Sequence, residues 1–546
     1  MNKNRCHHLL LHTAMLLGGV FFAGANHAAV LQGTGSSPGK TQLGATNAVG
    51  YKMVEGGPGH ALIVPYYTVQ NSQATVLHLV NSDAHNGKAV KVRFRGAGNG
   101  DNLLSLYVLL APNDVWTAIL TVAADGRARL STADSSCTFP KLNAASGQPF
   151  GTTRLNATWT TTAQANATRE GYIEAVVAAD IPSAAAYGAA SNAPSTLYNT
   201  IKHANEVTAP CTTSYLEDVF LNDHDTEAFA AELGFATPTG TLSGSWYLLD
   251  ARGSTTFSGA ATTFRAVNAA GQSARGNYVV FPQNGVGVNQ PERFTADPLL
   301  ASVGVAGRFK DADGNLSNPT STIAVRALNQ DLPDLSTPYY LPASAVNART
   351  MAGDLTKMLA APEVRNQYTT EASISAKTDW LMSMPLRRYS VGYDYTQPAA
   401  LARVFSVVPV VSPTTASNSQ FFDSDNTTVD ANSLQVCQLY NSNQHFGFSR
   451  DGLSPEEALT AVVTHVPVCG VAHVMSLGNQ SALSASVSQR AMTPAYVNGW
   501  ANFRYSGARP SGLPVMGASY IKLTNPSASA GVAANYGIAW PHSLER

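Results

Sequence analysis

Between Ala61 and Leu130 the chain alternates apolar and polar side chains with a period of two, a pattern that admits little besides antiparallel β-structure. Ala74 to Asn81 (ATVLHLVN) leads through His85-Asn86-Gly87, a tight-turn signal, into Lys88 to Arg95 (KAVKVRFR). In that second segment Val90, Val92 and Phe94 alternate with Lys91, Arg93 and Arg95, as in a strand with one buried and one wet face. Leu103 to Leu110 and Val115 to Val122 continue the series across Ala111-Pro112-Asn113-Asp114. A meander of antiparallel strands is the economical reading.

Tyr172 to Ala178 and a Trp246 to Phe264 hairpin, turning near Asp250 to Gly253, add further strands. From Tyr215 to Leu233, residues Leu216, Val219, Phe220, Phe229 and Leu233 fall at helical spacing. The interruption Asn222-Asp223-His224-Asp225 predicts one or two short helices there. Gly, Asn and Pro gather between Asn268 and Asn318, which places a boundary between two β-rich domains, 30–290 and 291–546. Beyond it, Ile323 to Ala327, Asp379 to Ser390, Ala402 to Val411, Ser433 to Tyr440 and Leu459 to Cys469 read as strands. Met351 to Tyr368 reads as helix interrupted at Pro362, and Gly512 to Trp540 includes an outer strand. The expected fold is mainly β, two antiparallel β-sandwich-like halves with a few short helices.

Met1 to Ala29 has the layout of a signal peptide: Lys3 and Arg5, an apolar core from Leu9 to Ala23, then small residues suited to cleavage. The expectation is an exported protein at the cell surface or outside the cell. Cys6 leaves with the signal, and Cys137, Cys211, Cys437 and Cys469 form an even set that predicts two disulfides in an oxidising compartment. Of the three connectivities, Cys137 with Cys211 and Cys437 with Cys469 keep each bridge within one half. Such loops would stabilise by roughly 4.5 and roughly 3.7 kcal/mol in the chain-entropy model. Charged residues are 13% of the chain, against about 25% in ordinary soluble domains. The 34 basic and 35 acidic residues balance, which leaves no electrostatic footprint for nucleic acid and favours self-association. No apolar run after residue 29 reaches the roughly 18 residues of a membrane-spanning helix.

Few motifs carry chemistry. Gly33 to Thr41 (GTGSSPGKT) imitates a phosphate-binding loop, but Thr34 stands where that motif needs glycine, and a glycine-rich surface segment is the plainer reading. His465, Cys469 and His473 have zinc-ligand spacing for a helix, yet the valine-rich segment broken by Pro467 reads as a disulfide-bearing strand. Asp311, Asp313 and Asn315 alternate oxygen ligands around Gly314 and are the calcium candidate, with Thr322 in place of the glutamate of a full calcium loop. An ordinary polar hairpin turn competes with it, and Asp423, Asp425 and Asp430 form a weaker acidic cluster. Lys88, Lys91, Arg93 and Arg95 make a basic stripe, either a solvated strand face or a contact for anionic cell-envelope polysaccharide. Val64-Pro65-Tyr66-Tyr67 and Thr337-Pro338-Tyr339-Tyr340 read as core packing, with sugar stacking as the alternative. A hydrolase site would have to be dispersed, joining Ser or Asp to His203, His224 or His445.

Five phrases occur in order along the chain: Ala61 to Gln70 (ALIVPYYTVQ), Lys88 to Arg95 (KAVKVRFR), Thr378 to Arg388 (TDWLMSMPLRR), Gly512 to Gly517 (GLPVMG) and Asn535 to His542 (NYGIAWPH). Together they resemble a family of exported Gram-negative bacterial proteins described as hypothetical or cell-surface proteins. The resemblance implies a surface-layer-like or biofilm-matrix-like component and no catalytic residues. Leu381 to Met384 (LMSM) departs from it, standing where a more β-branched and aromatic strand is expected. The functional expectation is a secreted structural cell-surface protein that self-associates, needing no cofactor unless calcium. A glycan-binding adhesin and a secreted hydrolase are the alternatives.

Overall fold

The computed structural model describes residues 30–156, 159–183, 194–203, 208–221, 226–281, 309–310, 316–317, 332–340, 348–389, 391–393, 401–403, 416–422, 428–435, 470–478, 480–486, 489–492, 494, 496–505, 513–529 and 532–544. Its first strands are β1 (Val30–Gln32), β2 (Gly50–Glu55), β3 (Ala61–Thr68), β4 (Ala74–Asn81) and β5 (Asn86–Gly96). Then come β6 (Asn102–Leu110), β7 (Val115–Val122), β8 (Ala128–Ser131), β9 (Cys137–Phe139) and β10 (Gln148–Pro149). After helix α1 (Thr161–Ala167) follow β11 (Glu170–Pro182), β12 (Leu242–Asp250), β13 (Thr255–Ala260), β14 (Thr262–Val267) and β15 (Tyr278–Val280). A seven-stranded antiparallel sheet has the order β2-β14-β3-β11-β5-β6-β9, and a six-stranded one the order β10-β8-β7-β4-β12-β13.

The strands expected from Ala61 to Val122 are present, but not as a meander. β3, β5 and β6 lie in the larger sheet while β4 and β7 lie in the smaller. Alternation reports which face of a strand is buried, not which strand lies beside it, so a chain stepping between facing sheets leaves the same trace. Asn81 ties the steps together, its Nδ2 donating to Asn86 O at 2.8 Å and Ala111 O at 2.9 Å. Between the sheets lies the largest core, including Leu62, Leu77, Val90, Phe94, Trp116 and Trp246. Each such side chain stabilises by about 1.5–3 kcal/mol when fully buried. The expected hairpin is β12–β13, after which Ala261 sends β14 across to the other sheet.

The outer face of the seven-stranded sheet is covered as well. At one end sit α2 (Thr196–Ile201), α3 (Thr213–Leu221) and α4 (Glu227–Leu233), with β1 and β15. The Tyr215 to Leu233 pattern is thus two helices; Thr226 Oγ1 caps α4 by accepting from Phe229 N at 3.2 Å, and Gly234 ends it at φ 101°. At the other end lie residues 332–340, α5 (Ala348–Leu359) and a 3-10 turn, Pro385–Tyr389. Strands β3, β5 and β11 are therefore buried along their whole lengths.

The second half begins with the short pair β16 (Phe309–Lys310) and β17 (Leu316–Ser317), then β18 (Ala360–Ala361), β19 (Glu363–Thr369) and β20 (Lys377–Ser383). The helix expected from Met351 to Tyr368 is shorter, because Pro362 cannot continue it and Val364 and Tyr368 then alternate into a core as part of β19. Further strands are β21 (Val391–Tyr393), β22 (Leu401–Arg403), β23 (Ala416–Phe422), β24 (Thr428–Gln435) and β25 (Ala472–Leu477). The series closes with β26 (Gln489–Met492), β27 (Asn498–Tyr505), β28 (Leu513–Pro514), β29 (Ala518–Ser529), β30 (Val532–Pro541) and β31 (Ser543–Leu544). Residues 323–327, 404–411, 436–440 and 459–469 of the expected strands lie outside the described residues.

Two five-stranded sheets result, β24-β23-β27-β19-β31 and β26-β25-β20-β29-β30. The second is a middle layer. Leu381, Val474 and Tyr520 join the core of the first sandwich, whereas Trp380, Met382 and Met475 pack against Val364, Ala501 and Phe503 of the outer sheet. Ring centroids 5.3 Å apart for Phe257 and Tyr520, and 4.9 Å apart for Trp380 and Phe503, mark the two interfaces. Leu381 to Met384 is accordingly buried throughout, as a strand covered on both faces must be. The protein is mainly β and antiparallel, with sandwich-like halves.

Candidate functional site

The basic stripe is not a surface. Lys88, Lys91, Arg93 and Arg95 are each no more than 1% exposed, so the expectation of a solvated face is overturned, and none can reach a polysaccharide from outside. The strand pattern was sound, but the face assumed to be wet is roofed by residues 332–340 and 385–389. Ladder register sets Arg93 opposite Glu174 on β11. Arg95 Nε donates to Glu174 Oε1 at 2.6 Å, and its Nη2 donates to Asp334 Oδ2 at 3.2 Å. Arg93 Nη1 lies 3.6 Å from the same Asp334 oxygen. Tyr389 donates to Asp334 Oδ2 at 2.8 Å, Tyr172 to Glu174 Oε1 at 3.0 Å, and Arg388 to Gly100 O. Lys91 stands 4.6 Å over the Tyr107 ring, and Lys88 donates to Asp180 Oδ1 at 2.6 Å. Burial holds Asp334 above the usual carboxylate range, toward about 7, with Arg93 and Arg95 opposing and Glu174 adding to the shift. Such a network specifies register and docking more than it adds stability.

The described histidines are likewise mostly structural. His60 Nδ1 accepts from Ala266 N at 3.0 Å while Nε2 faces Pro238 O at 3.2 Å, an arrangement that only the neutral ring satisfies. Burial, helped by the Lys88 charge, lowers its pKa to about 3. His542 repeats the arrangement between Asn366 Nδ2 at 2.9 Å and Leu381 O at 2.8 Å, and burial lowers it to about 4. His203 Nε2 lies 3.7 Å from Asp114 Oδ2, to which Ser136 Oγ also points at 3.3 Å. The carboxylate stands between Ser and His, whereas a triad needs the imidazole in the middle. His224 and His445 lie outside the described residues.

Cys137 and Cys211 form the expected disulfide, beside a cleft of about 630 Å³ lined by Asp134, Ser135, Lys141 and Glu217. Cys437 and Cys469 lie outside the described residues, as do Asp311, Asp313 and Asn315, which fall in the connection between β16 and β17. Asp423 and Asp425 fall outside them too, and His473 is buried in β25. Tyr66, Tyr67, Tyr339 and Tyr340 are core residues, as read. The Gly33 to Thr41 segment is tied to α4: Glu227 accepts from Thr34 N at 2.5 Å, Thr34 Oγ1 at 2.6 Å and Leu43 N at 2.8 Å. A carboxylate thus occupies backbone donors that a phosphate would need. Gly35-Ser36-Ser37-Pro38-Gly39 also fits the spacing of a nucleophile elbow, but it forms bends with no helix after them.

With so many charges inside, two stretches of surface among the described residues carry no formal charge. On the outer face of the six-stranded sheet, β4 presents Val76, His78 and Val80, and β7 presents Val115, Thr117 and Ile119. Beside them β12 presents Ser243, Ser245, Tyr247 and Leu249, and β13 presents Thr256 and Ser258. None of these carries a formal charge. Val115 is 47% and Tyr247 37% exposed. His78 Nδ1 is 2.8 Å from Thr117 Oγ1, and its ring meets Tyr247 edge-on at 5.3 Å. The second surface is the β29–β30 hairpin, where Tyr536 is 56% and Trp540 48% exposed. The sequence showed β4, β7, the β12–β13 hairpin and one outer strand within Gly512 to Trp540, but not β30 as a second strand, nor that these outward faces would be the bare ones. No protein-family model, no curated protein and no solved structure matches the chain.

Proposed function

We propose that the protein is a secreted structural cell-surface protein that self-associates, as a surface-layer or matrix component. The observation that carries this is the uncharged outer face of β7, β4, β12 and β13 in the six-stranded sheet, bounded on one side by Arg129 of β8. Soluble monomers ordinarily place charged side chains on a wet sheet face, and an extended semi-apolar face rimmed by polar residues is characteristic of an interaction site. Four strands about 4.8 Å apart and about eight residues long at 3.3 Å each span roughly 500 Å² in projection, somewhat below the roughly 800 Å² per partner of a standard interface. A second contact would complete an assembly. The occupant is a second copy, because like-charge repulsion is absent in a chain of net charge −1. Export is supported by the signal-like Met1 to Ala29 and by the Cys137–Cys211 bridge. Burial of the basic stripe removes the charged element of the adhesin reading.

Thr117→Lys places a charge on this face, beside His78, without touching a core. Light scattering after size exclusion should show wild-type assemblies reduced in size by the substitution, with unchanged circular dichroism. Assemblies of the same size from both proteins would refute this use of the face.

A further inference from the structure

The last hairpin outruns the sheet that carries it. β29 pairs with β20 only as far as Lys522 opposite Lys377, whereas the β29–β30 ladder continues through Leu523 with Tyr536, Thr524 with Asn535 and Asn525 with Ala534. Beyond Lys522, therefore, the structure is a two-stranded arm. Its base is fixed: Lys522 Nζ donates to Asp250 Oδ2 at 2.8 Å, and Gly537 lies so close to β13 that an added Cβ would come within 2.4 Å of Thr256 O. A lone two-stranded ribbon is marginal in water and is stabilised by a third strand. From Leu523 to Leu544 there is no Asp, Glu, Lys or Arg. Natural edge strands are guarded by lysine, proline or bulges. Here Pro526 and the register shift between Asn525 and Ser529 guard the tip on β29, while β30 from Ala533 to Trp540 has neither and forms the sheet edge among the described strands.

We propose that β30 is a strand-pairing edge whose occupant is β30 of a second copy, antiparallel about a two-fold axis at Ile538. This rests on the self-association reading above and adds the second contact that reading needs. The register follows from the exposed aromatics. Centring the axis on Ile538 sets Tyr536 of one copy opposite Trp540 of the other, twice, and aromatic cross-strand pairs are favourable. An uncharged edge is its own complement, and the pairing would fuse two five-stranded sheets into one. Because one such interface is isologous and closes as a dimer, growth beyond it requires the sheet face as a different contact.

The test uses the full mature chain with single cysteines introduced on β30, under mild oxidation, alongside sedimentation of the wild type. Ile538→Cys should give a covalent dimer on a non-reducing gel, since the axis brings that residue against its own copy. Tyr536→Cys should give none, since it would lie about 13 Å from its copy, four residues along a strand. If the wild type assembles but Ile538→Cys does not crosslink, or both cysteines crosslink equally, the strand assignment is overturned and self-association stands. If the wild type is monomeric at every concentration, both fall.

Discussion

Replacing Glu174 by Gln keeps the shape of a side chain in the middle of β11 but removes the negative charge that Arg95 approaches at 2.6 Å and Arg93 at 4.0 Å. Glu174 and both arginines are about 1% exposed or less, so little water can screen the loss. Breaking a buried pair by removing one partner typically costs about 3–5 kcal/mol, a large share of the roughly 5–15 kcal/mol that holds a folded protein. Urea unfolding followed by tryptophan fluorescence should show the midpoint falling by that amount divided by the slope, with the slope itself unchanged. Asp334→Asn is the contrast. Asp334, raised toward about 7, binds its proton more tightly folded than unfolded, so its contribution to stability is full below about pH 4 and lost as pH rises through about 7. The asparagine lacks that loss. Its cost should stay below that of Glu174→Gln, and the difference should widen as pH rises. A Glu174→Gln cost under about 1 kcal/mol would refute the view that this network is dry and that the Glu174 charge is needed to hold its arginines.

Three further outcomes follow from named contacts. His60 and His542 are neutral when folded, with pKa values lowered from 6.5 to about 3 and about 4. Their stability is present above pH 6.5 and lost as pH falls through those values, by up to roughly 5 and 3 kcal/mol at about 1.4 kcal/mol per unit. His542→Asn should therefore flatten the acid limb of a urea-midpoint against pH curve, and an unchanged limb would contradict the assignment. Gly171→Ala would put a Cβ 1.7 Å from Arg95 O at the β11 irregularity. A loss of about 3 kcal/mol is expected by thermal or urea melting, and wild-type stability would show that the strands are not so closely apposed. Serine at both Cys137 and Cys211 opens a loop with a sequence separation of 74. Stability should fall by up to roughly 4.5 kcal/mol, and reductant should then have no further effect on that loop.

What was legible in the sequence was what depends on near neighbours. The bounds of β4 and β7 followed from alternation and turn residues, the break between α3 and α4 from the polar run at 222–225, and the Cys137–Cys211 bridge from cysteine arithmetic, whereas β5 begins at Asn86, inside the expected turn. What was not legible depends on distant segments. Nothing near Arg93 and Arg95 announces that Asp334, some 240 positions on, will roof them, so their face looked wet. Alternation likewise could not say that β4 and β5 lie in different sheets, nor that β20 would be covered on both sides. The surface candidate was half-visible: the low, balanced charge favoured self-association, but which faces lay bare appeared only when the buried charges were placed.

The claim at the centre is that charges have been drawn inward and the bare faces left outside join copies of the chain. Sedimentation velocity of the purified protein across a concentration series, at low and at high salt, tests it most directly. Contacts between uncharged faces are not weakened by screening, so species larger than the monomer should grow with concentration and persist, or strengthen, in high salt. A monomer at every concentration, or assemblies that dissolve as salt is added, would contradict it.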